Sequence, residues 1–156
     1  MTVYKKDGVD GTAHTPKKFV TLNTIIPTST TITKGEVLMI DTGVTTNGMG
    51  MNVIKGVGLD EAVTVGVAGE TIANSSSTVT LTTTIKVQVA GLNQDVTDSG
   101  AGIAAGLLVG MSAATVIAAA DYSSDRTTRP FALCVDALTA GNADGGILIF
   151  DHGFYG

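Results

Sequence analysis

Between Thr78 and Ala90 the side chains change character at every step. Val79, Leu81, Thr83, Ile85, Val87 and Val89 fall on one side of an extended chain, and Thr80, Thr82, Thr84, Lys86 and Gln88 on the other. A period of two over such a length cannot be a helix, whose faces repeat every 3.6 residues. It describes a β-strand with one face in a core and the other against water or a polar partner surface. The rest of the chain is of the same kind. Of 156 residues 24 are Thr, a β-branched residue that suits a half-exposed pleat. Charged residues make up 15%, against roughly 25% in an ordinary soluble domain. So few Glu, Lys and Arg argue against a helical bundle, and 44% hydrophobic residues are too many for a disordered chain.

Short β-like runs continue on both sides of this segment. They are Phe19–Ile26, Val37–Thr42, Asn52–Val57, Val63–Ala68, Leu107–Met111, Thr115–Ala119, Phe131–Ala137 and Ile147–Phe150, with Gly, Asn, Asp or Ser in nearly every gap. That rhythm predicts a mainly β fold, a small barrel or sandwich. In Phe131–Ala137 the alternation groups Phe131, Leu133 and Val135 opposite Ala132, Cys134 and Asp136. Residues 1–33 read as an extended N-terminal arm and a lead-in strand, punctuated by Gly8, Gly11 and Pro16. Residues 34–156 read as a single β domain.

Within that domain the pattern recurs, in repeats spanning 34–92 and 104–154. Lys34-Gly35-Glu36-Val37-Leu38-Met39 matches Ala105-Gly106-Leu107-Leu108-Val109-Gly110. Val63–Ala68 then aligns with Phe131–Asp136, and Ile85–Gly91 with Ile147–Gly153. Two halves with one strand order predict a single small barrel in which each covers the open edge of the other.

Charge is unevenly placed. Lys5, Lys6, Lys17 and Lys18 make the arm slightly basic, while the body carries most of the acidic residues and the whole chain has a net charge of −5. An acidic body repels phosphate backbones, so a nucleic-acid partner is not expected. The start, MTVYKKDGVDG, has no apolar core of a secretory signal. Ala101 to Ala120 is free of charge for twenty residues, but only seven of these are large and apolar. At about −0.3 to −0.6 kcal/mol each, they are a weak drive for insertion, offset by three Gly, Ser112 and Thr115. A buried strand–turn–strand with one short helical turn is the better expectation, with no membrane partner.

No catalytic pattern is well formed. Gly100, Gly102 and Gly106 with Asp121 imitate a dinucleotide fingerprint, but no strand runs directly into Gly100. Ser112 with Asp121, Asp136 or Asp144 and then His152 follows hydrolase order, without the strand–turn–helix such a nucleophile needs. His14 and His152 with one cysteine cannot complete a zinc set, and Asn142–Gly146 lacks the carboxylates of a calcium loop. Asp60–Glu61 and Asp121–Asp125 read as solvated loop carboxylates. Cys134 reads as a small strand residue. The expectation is a protein that is not an enzyme, with no metal, cofactor or small-molecule substrate.

The C-terminal third also resembles a known family. Gly102-Ile103-Ala104-Ala105-Gly106-Leu107-Leu108-Val109-Gly110-Met111, the polar stretch Asp121–Thr128, the run Arg129–Ala137, the turn Ala140–Gly145, and Ile147–Phe150 with Gly153-Phe154 are similar to the lambda-type head decoration (cement) proteins of tailed phages. The resemblance implies a β-tulip-like domain and a non-enzymatic capsid decoration protein. Such a protein would be made in the host cytoplasm and act on the outer surface of the virion. It would bind the major capsid protein as a homotrimer and stabilise the head against the pressure of its DNA. It further implies an N-terminal arm that orders on the capsid by adding a strand to a coat-protein sheet. Val3, Tyr4, Lys5, Lys6, Lys17, Lys18 and Phe19 are the residues expected to carry that contact. The alternative is another virion or cell-surface β-module, such as a tail or fibre component or an adhesin. A small trimeric β-barrel hydrolase stands last.

Overall fold

The Thr-rich alternating segment is β7 (Leu81–Asn93), the longest strand of a computed structural model. The structure describes residues 17–41, 52–55, 64–96, 102–113, 116–119, 130–139 and 145–150. The other strands are β1 (Lys18–Ile26), β2 (Thr30–Ile32), β3 (Val37–Ile40), β4 (Asn52–Lys55), β5 (Thr64–Ala68) and β6 (Ile72–Asn74). They are followed by β8 (Leu108–Ala113), β9 (Val116–Ala119), β10 (Ala132–Asp136) and β11 (Gly146–Ile149). Among the described residues there is no helix.

Nine strands form one sheet in the order β1-β4-β3-β5-β7-β11-β10-β8-β9, and β1 also pairs with β7. That second pairing, from Lys18↔Ala90 to Ile26↔Leu81, closes the first five strands into a barrel. Closure removes the open edges of those five strands. The uncharged segment 101–120 contributes β8 and β9, an antiparallel pair. No helix among the described residues is long and apolar enough to cross a membrane.

The internal repeat is present in the hydrogen-bond register. The order β4-β3-β5-β7 returns as β9-β8-β10-β11. Val37↔Val67 and Leu38↔Gly66 in the first half are answered by Leu108↔Leu133 and Val109↔Ala132 in the second. Val67↔Gln88 and Ala68↔Val87 are answered by Leu133↔Leu148 and Cys134↔Ile147. The turn entering each half is also the same. Gly35 N–H donates to Ala68 O at 2.9 Å and Ala68 N–H to Glu36 O at 2.8 Å; Gly106 N–H donates to Cys134 O at 2.7 Å and Cys134 N–H to Leu107 O at 2.8 Å. Even the small sheet β2-β6 has its counterpart, since Ile32↔Ile72 corresponds to the isolated bridge Ile103↔Leu138. The sequence alignment holds at Gly35 and Gly106 but slips by two residues later, because Val67 answers Leu133 rather than Val135, and Val87 rather than Ile85 answers Ile147. A slip of two leaves every side chain on its proper face, so the hydrophobic pattern cannot detect it.

The two halves do not close in the same way. The first is a complete barrel around Ile26, Leu38, Val53, Val65, Ile85 and Val87. The second is built on the outer face of the first, where Val37, Met39 and Val67 fill its core beside Val109, Phe131 and Ile147. Strand β3 therefore sends Leu38 into one core and Val37 and Met39 into the other. A strand buried on both faces reads as a continuous apolar run, which is what Val37-Leu38-Met39 is.

Two sequence expectations are corrected and one open question is decided. Phe19 opens β1 as the strand reading Phe19–Ile26 has it, but Lys18, grouped with the arm, also pairs in it, as part of a stave of the barrel. Val79, assigned to the core face, is 63% exposed, while Gln88, assigned to the polar face, is buried under the second half. In β10, where the alternation left the core face open, the small residues Ala132 and Cys134 face the core, and Leu133 and Val135 face outward.

Candidate interaction surface

The outer face of β1 and β7 is polar and fixed. Phe19, Thr21 and Asn23 lie outward on β1, and Thr82, Thr84 and Lys86 on β7, with Thr21 opposite Lys86 and Asn23 opposite Thr84. The ammonium of Lys86 stands 4.5 Å from the centre of the Phe19 ring, a cation–π contact. Below the ring there is a glycine, Gly69, where a Cβ would come within 3.1 Å of Phe19. Phe19 is thus seated on one side, capped on the other and 39% exposed. Of the expected arm residues, the structure brings Lys18 and Phe19 into the sheet and leaves Lys17 exposed just before it. Val3, Tyr4, Lys5 and Lys6 lie outside the described residues.

A second surface is the Ser/Thr-rich tip between β6 and β7. Buried Asn74 organises it. Its amide nitrogen donates to the carbonyls of Ile26 at 3.0 Å, Pro27 at 3.0 Å and Val79 at 2.9 Å, and its oxygen accepts Ser76 N–H at 3.1 Å. Ser76 Oγ in turn accepts the N–H groups of Thr78 at 3.2 Å and Val79 at 3.0 Å. Such side-chain-to-backbone bonds replace ladder bonds where the strand stops, so the tip has a defined shape. The available signal was the Asn-Ser-Ser-Ser-Thr run itself, which is turn chemistry with a mechanism.

The second half presents a different surface. In the first half Glu36, beside the entering glycine, pairs with Lys55 at 2.8 Å and accepts Thr33 N–H at 3.0 Å. Its counterpart beside Gly106 is Leu107, 46% exposed, and Val135 of β10 is 43% exposed. The same structural post is polar in one half and apolar in the other.

The residues weighed for catalysis are not drawn together among the described residues. Cys134 is buried, with its Sγ 3.3 Å from Asp136 O and 3.5 Å from Ile103 O. Burial pushes its thiol above the ordinary cysteine range, and the Asp136 carboxylate adds to this against the opposing backbone hydrogen bonds. A thiol held neutral in this way is a poor nucleophile. Gly106 leads into strand β8, not into the helix a dinucleotide fingerprint requires. Gly100, His14, Asp60, Glu61, Asp121, Asp125, Asp144 and His152 lie outside the described residues, as does the Ser112 side chain.

No known family model and no curated protein matches the sequence. Among solved structures, the fold is similar to the N base of the head fiber gp8.5 of bacteriophage phi29. The TM-score is 0.52 at 12% identity, with 86% of this chain and 96% of that one covered. At that identity the likeness is one of fold.

Proposed function

We propose that the chain is a structural component of a phage head, a decoration protein that binds the outer surface of the mature capsid and reinforces it against internal DNA pressure. The observation that carries this reading is the shared fold with a phage head fiber base, whose own chain is covered almost end to end. Binding alone does the work in this reading, with no bond made or broken. The protein acts as a trimer on the major capsid protein, and its N-terminal segment adds a strand to a coat-protein sheet. An extended segment ordering on a sheet edge gains main-chain hydrogen bonds that offset its lost freedom. Three such segments on one trimer bind together, so modest single contacts give tight attachment. Lys17, exposed ahead of β1, stands where that segment leaves the barrel.

The test is co-sedimentation with expanded heads of the phage that encodes the chain. The full chain is expected to pellet with the heads, and a variant lacking residues 2–17 to lose at least tenfold in affinity while keeping its melting temperature. The deletion stops before Lys18 because that residue already pairs in the barrel. Equal binding by the shortened chain rules out the arm, and no binding by the full chain rules out the decoration role. A second reading, the base of a fibre, is favoured by the description of the structural neighbour as a head fiber base. Electron microscopy of the heads separates the two, since a cement lies flat between coat subunits and a fibre base carries a projection.

A further inference from the structure

A single row of residues crosses each half from strand to strand. In the first half it runs Phe19↔Gln88↔Val67↔Val37, and in the second Leu92↔Leu148↔Leu133↔Leu108. Directly opposed residues share a face, so each row is one continuous strip on the convex side of its sheet. Beyond exposed Phe19, the first strip is covered. Gln88, Val67 and Val37 are buried, and Val37 and Val67 sit inside the core of the second half. The second strip consists of four leucines, all half-exposed, with Val135 beside Leu133 on the same face of β10. None of the four belongs to either hydrophobic core.

From this row we infer that copies of the chain associate, leucine row against leucine row, around a rotation axis. The inference deepens the trimer of the proposed function and rests on that part of it. The chain itself supplies the precedent, because Val37 and Val67 of the equivalent strip in the first half lie in the interface between the two halves. That interface met a concave sheet, and among the described residues neither half has a vacant one to offer a neighbour. The first is closed by β1, and the second is filled by Val37, Met39 and Val67. What a second copy presents is therefore its own strip. Charge favours the same pairing. With a net charge of −5 two copies repel each other over most of their surfaces, whereas the four leucine positions carry no charge at all. Apolar, uncharged centres are what oligomer interfaces are built from, and identical rows can meet only about a symmetry axis, two across a twofold or three converging on the threefold of a trimer. Polar residues at this strip would suffice for a monomer, as Thr21, Asn23 and Thr84 do on the outer face of β1 and β7.

Sedimentation velocity of the full chain, without phage heads, tests this directly. The wild type is expected to form a small closed oligomer in the micromolar range, and L133K with L148K to sediment as a monomer with an unchanged melting temperature. Both leucines point away from the core, so the fold tolerates lysine there. A wild-type monomer at every concentration means that the chain covers the strip itself, and overturns the inference. An L133K/L148K protein of wild-type mass overturns it equally. Should the lysine variant misfold, L148C treated with a short bismaleimide decides. Cross-linked oligomers are expected under native conditions, buried Cys134 remaining unreactive, and monomer alone overturns the inference. Head binding is read separately. Monomers that bind heads refute the leucine interface and leave the decoration role intact, and oligomers that ignore heads do the reverse.

Discussion

Gly35 and Gly106 occupy the same post at the entry to the two halves, with φ of +93° and +88°. Any side chain is strained there, since a non-glycine residue in the left-handed region costs about 1–2 kcal/mol. Their surroundings separate them. A Cβ on Gly35 would lie 2.0 Å from the carbonyl oxygen of Asp95, whereas one on Gly106 would meet nothing within 4 Å. Gly106→Ala is therefore expected to lower stability by about 1–2 kcal/mol, the backbone cost alone. Gly35→Ala must also displace the backbone at Asp95, whose side chain pairs with Lys34 at 3.0 Å, and is expected to cost about 3 kcal/mol or more. Urea unfolding of both variants checks the order, and equal losses would mean that the Asp95 contact is unimportant. The sequence pairs these two glycines through their shared turn pattern. It contains no sign of Asp95, because that contact is made by a segment distant in the chain, just after β7, and depends on how the halves stack.

At the scale of elements, β7 was the most legible feature and also holds the main surprise. Its alternation identifies the strand and the inward side of Ile85, Val87 and Val89. What alternation cannot report is that the outer side is covered beyond Lys86, where the strand leaves one half and enters the other. The buried polar residue at that junction is Gln88. Its amide nitrogen reaches the carbonyls of Ala90 at 3.2 Å, Gly91 at 3.3 Å and Leu92 at 3.0 Å, and its oxygen accepts Asn93 Nδ2–H at 3.0 Å. These bonds span the point where β7 changes partner, since Ala90 pairs with Lys18 of β1 and Gly91–Asn93 pair with β11. Leucine occupies the equivalent post in the second half, Leu148, so shape alone does not demand Gln. Gln88→Leu is expected to cost about 2 kcal/mol through orphaned polar groups and to speed amide exchange at Gly91–Asn93. Unchanged exchange there would deny Gln88 this role. The strands β2 and β6 escaped the sequence because each is three residues long. Too short to show a period, they are held by the fold around them. The face of β10 was ambiguous for another reason, since both of its sides are apolar, and the small side is the one that fits against the first half.

The whole molecule is less symmetric than its repeat. Every residue in the barrel core, from Val20 to Val89, comes from the first half. The second core depends on both halves, drawing Val37, Met39 and Val67 from the outside of the barrel and Val96 from the irregular segment that follows β7. Burial of such a side chain is worth about 1.5–3 kcal/mol. Removing the borrowed residues thus takes from the second half an amount comparable to the whole stability of a small domain, about 5–15 kcal/mol. The first half loses only a cover. Cut after Val96, the chain should therefore divide unequally. Residues 1–96 are expected to keep the β-sheet circular dichroism and dispersed amide spectrum of a folded barrel, with some tendency to aggregate through the exposed Val37, Met39 and Val67. Residues 97–156 alone are expected to be unfolded, and mixing the two pieces should restore the dispersed spectrum of the second half. A fold in which the second piece is structured on its own while the first is not would contradict the division of cores. So would an intact chain whose barrel melts before its second half, because the borrowed core ties the folding of the second half to that of the first.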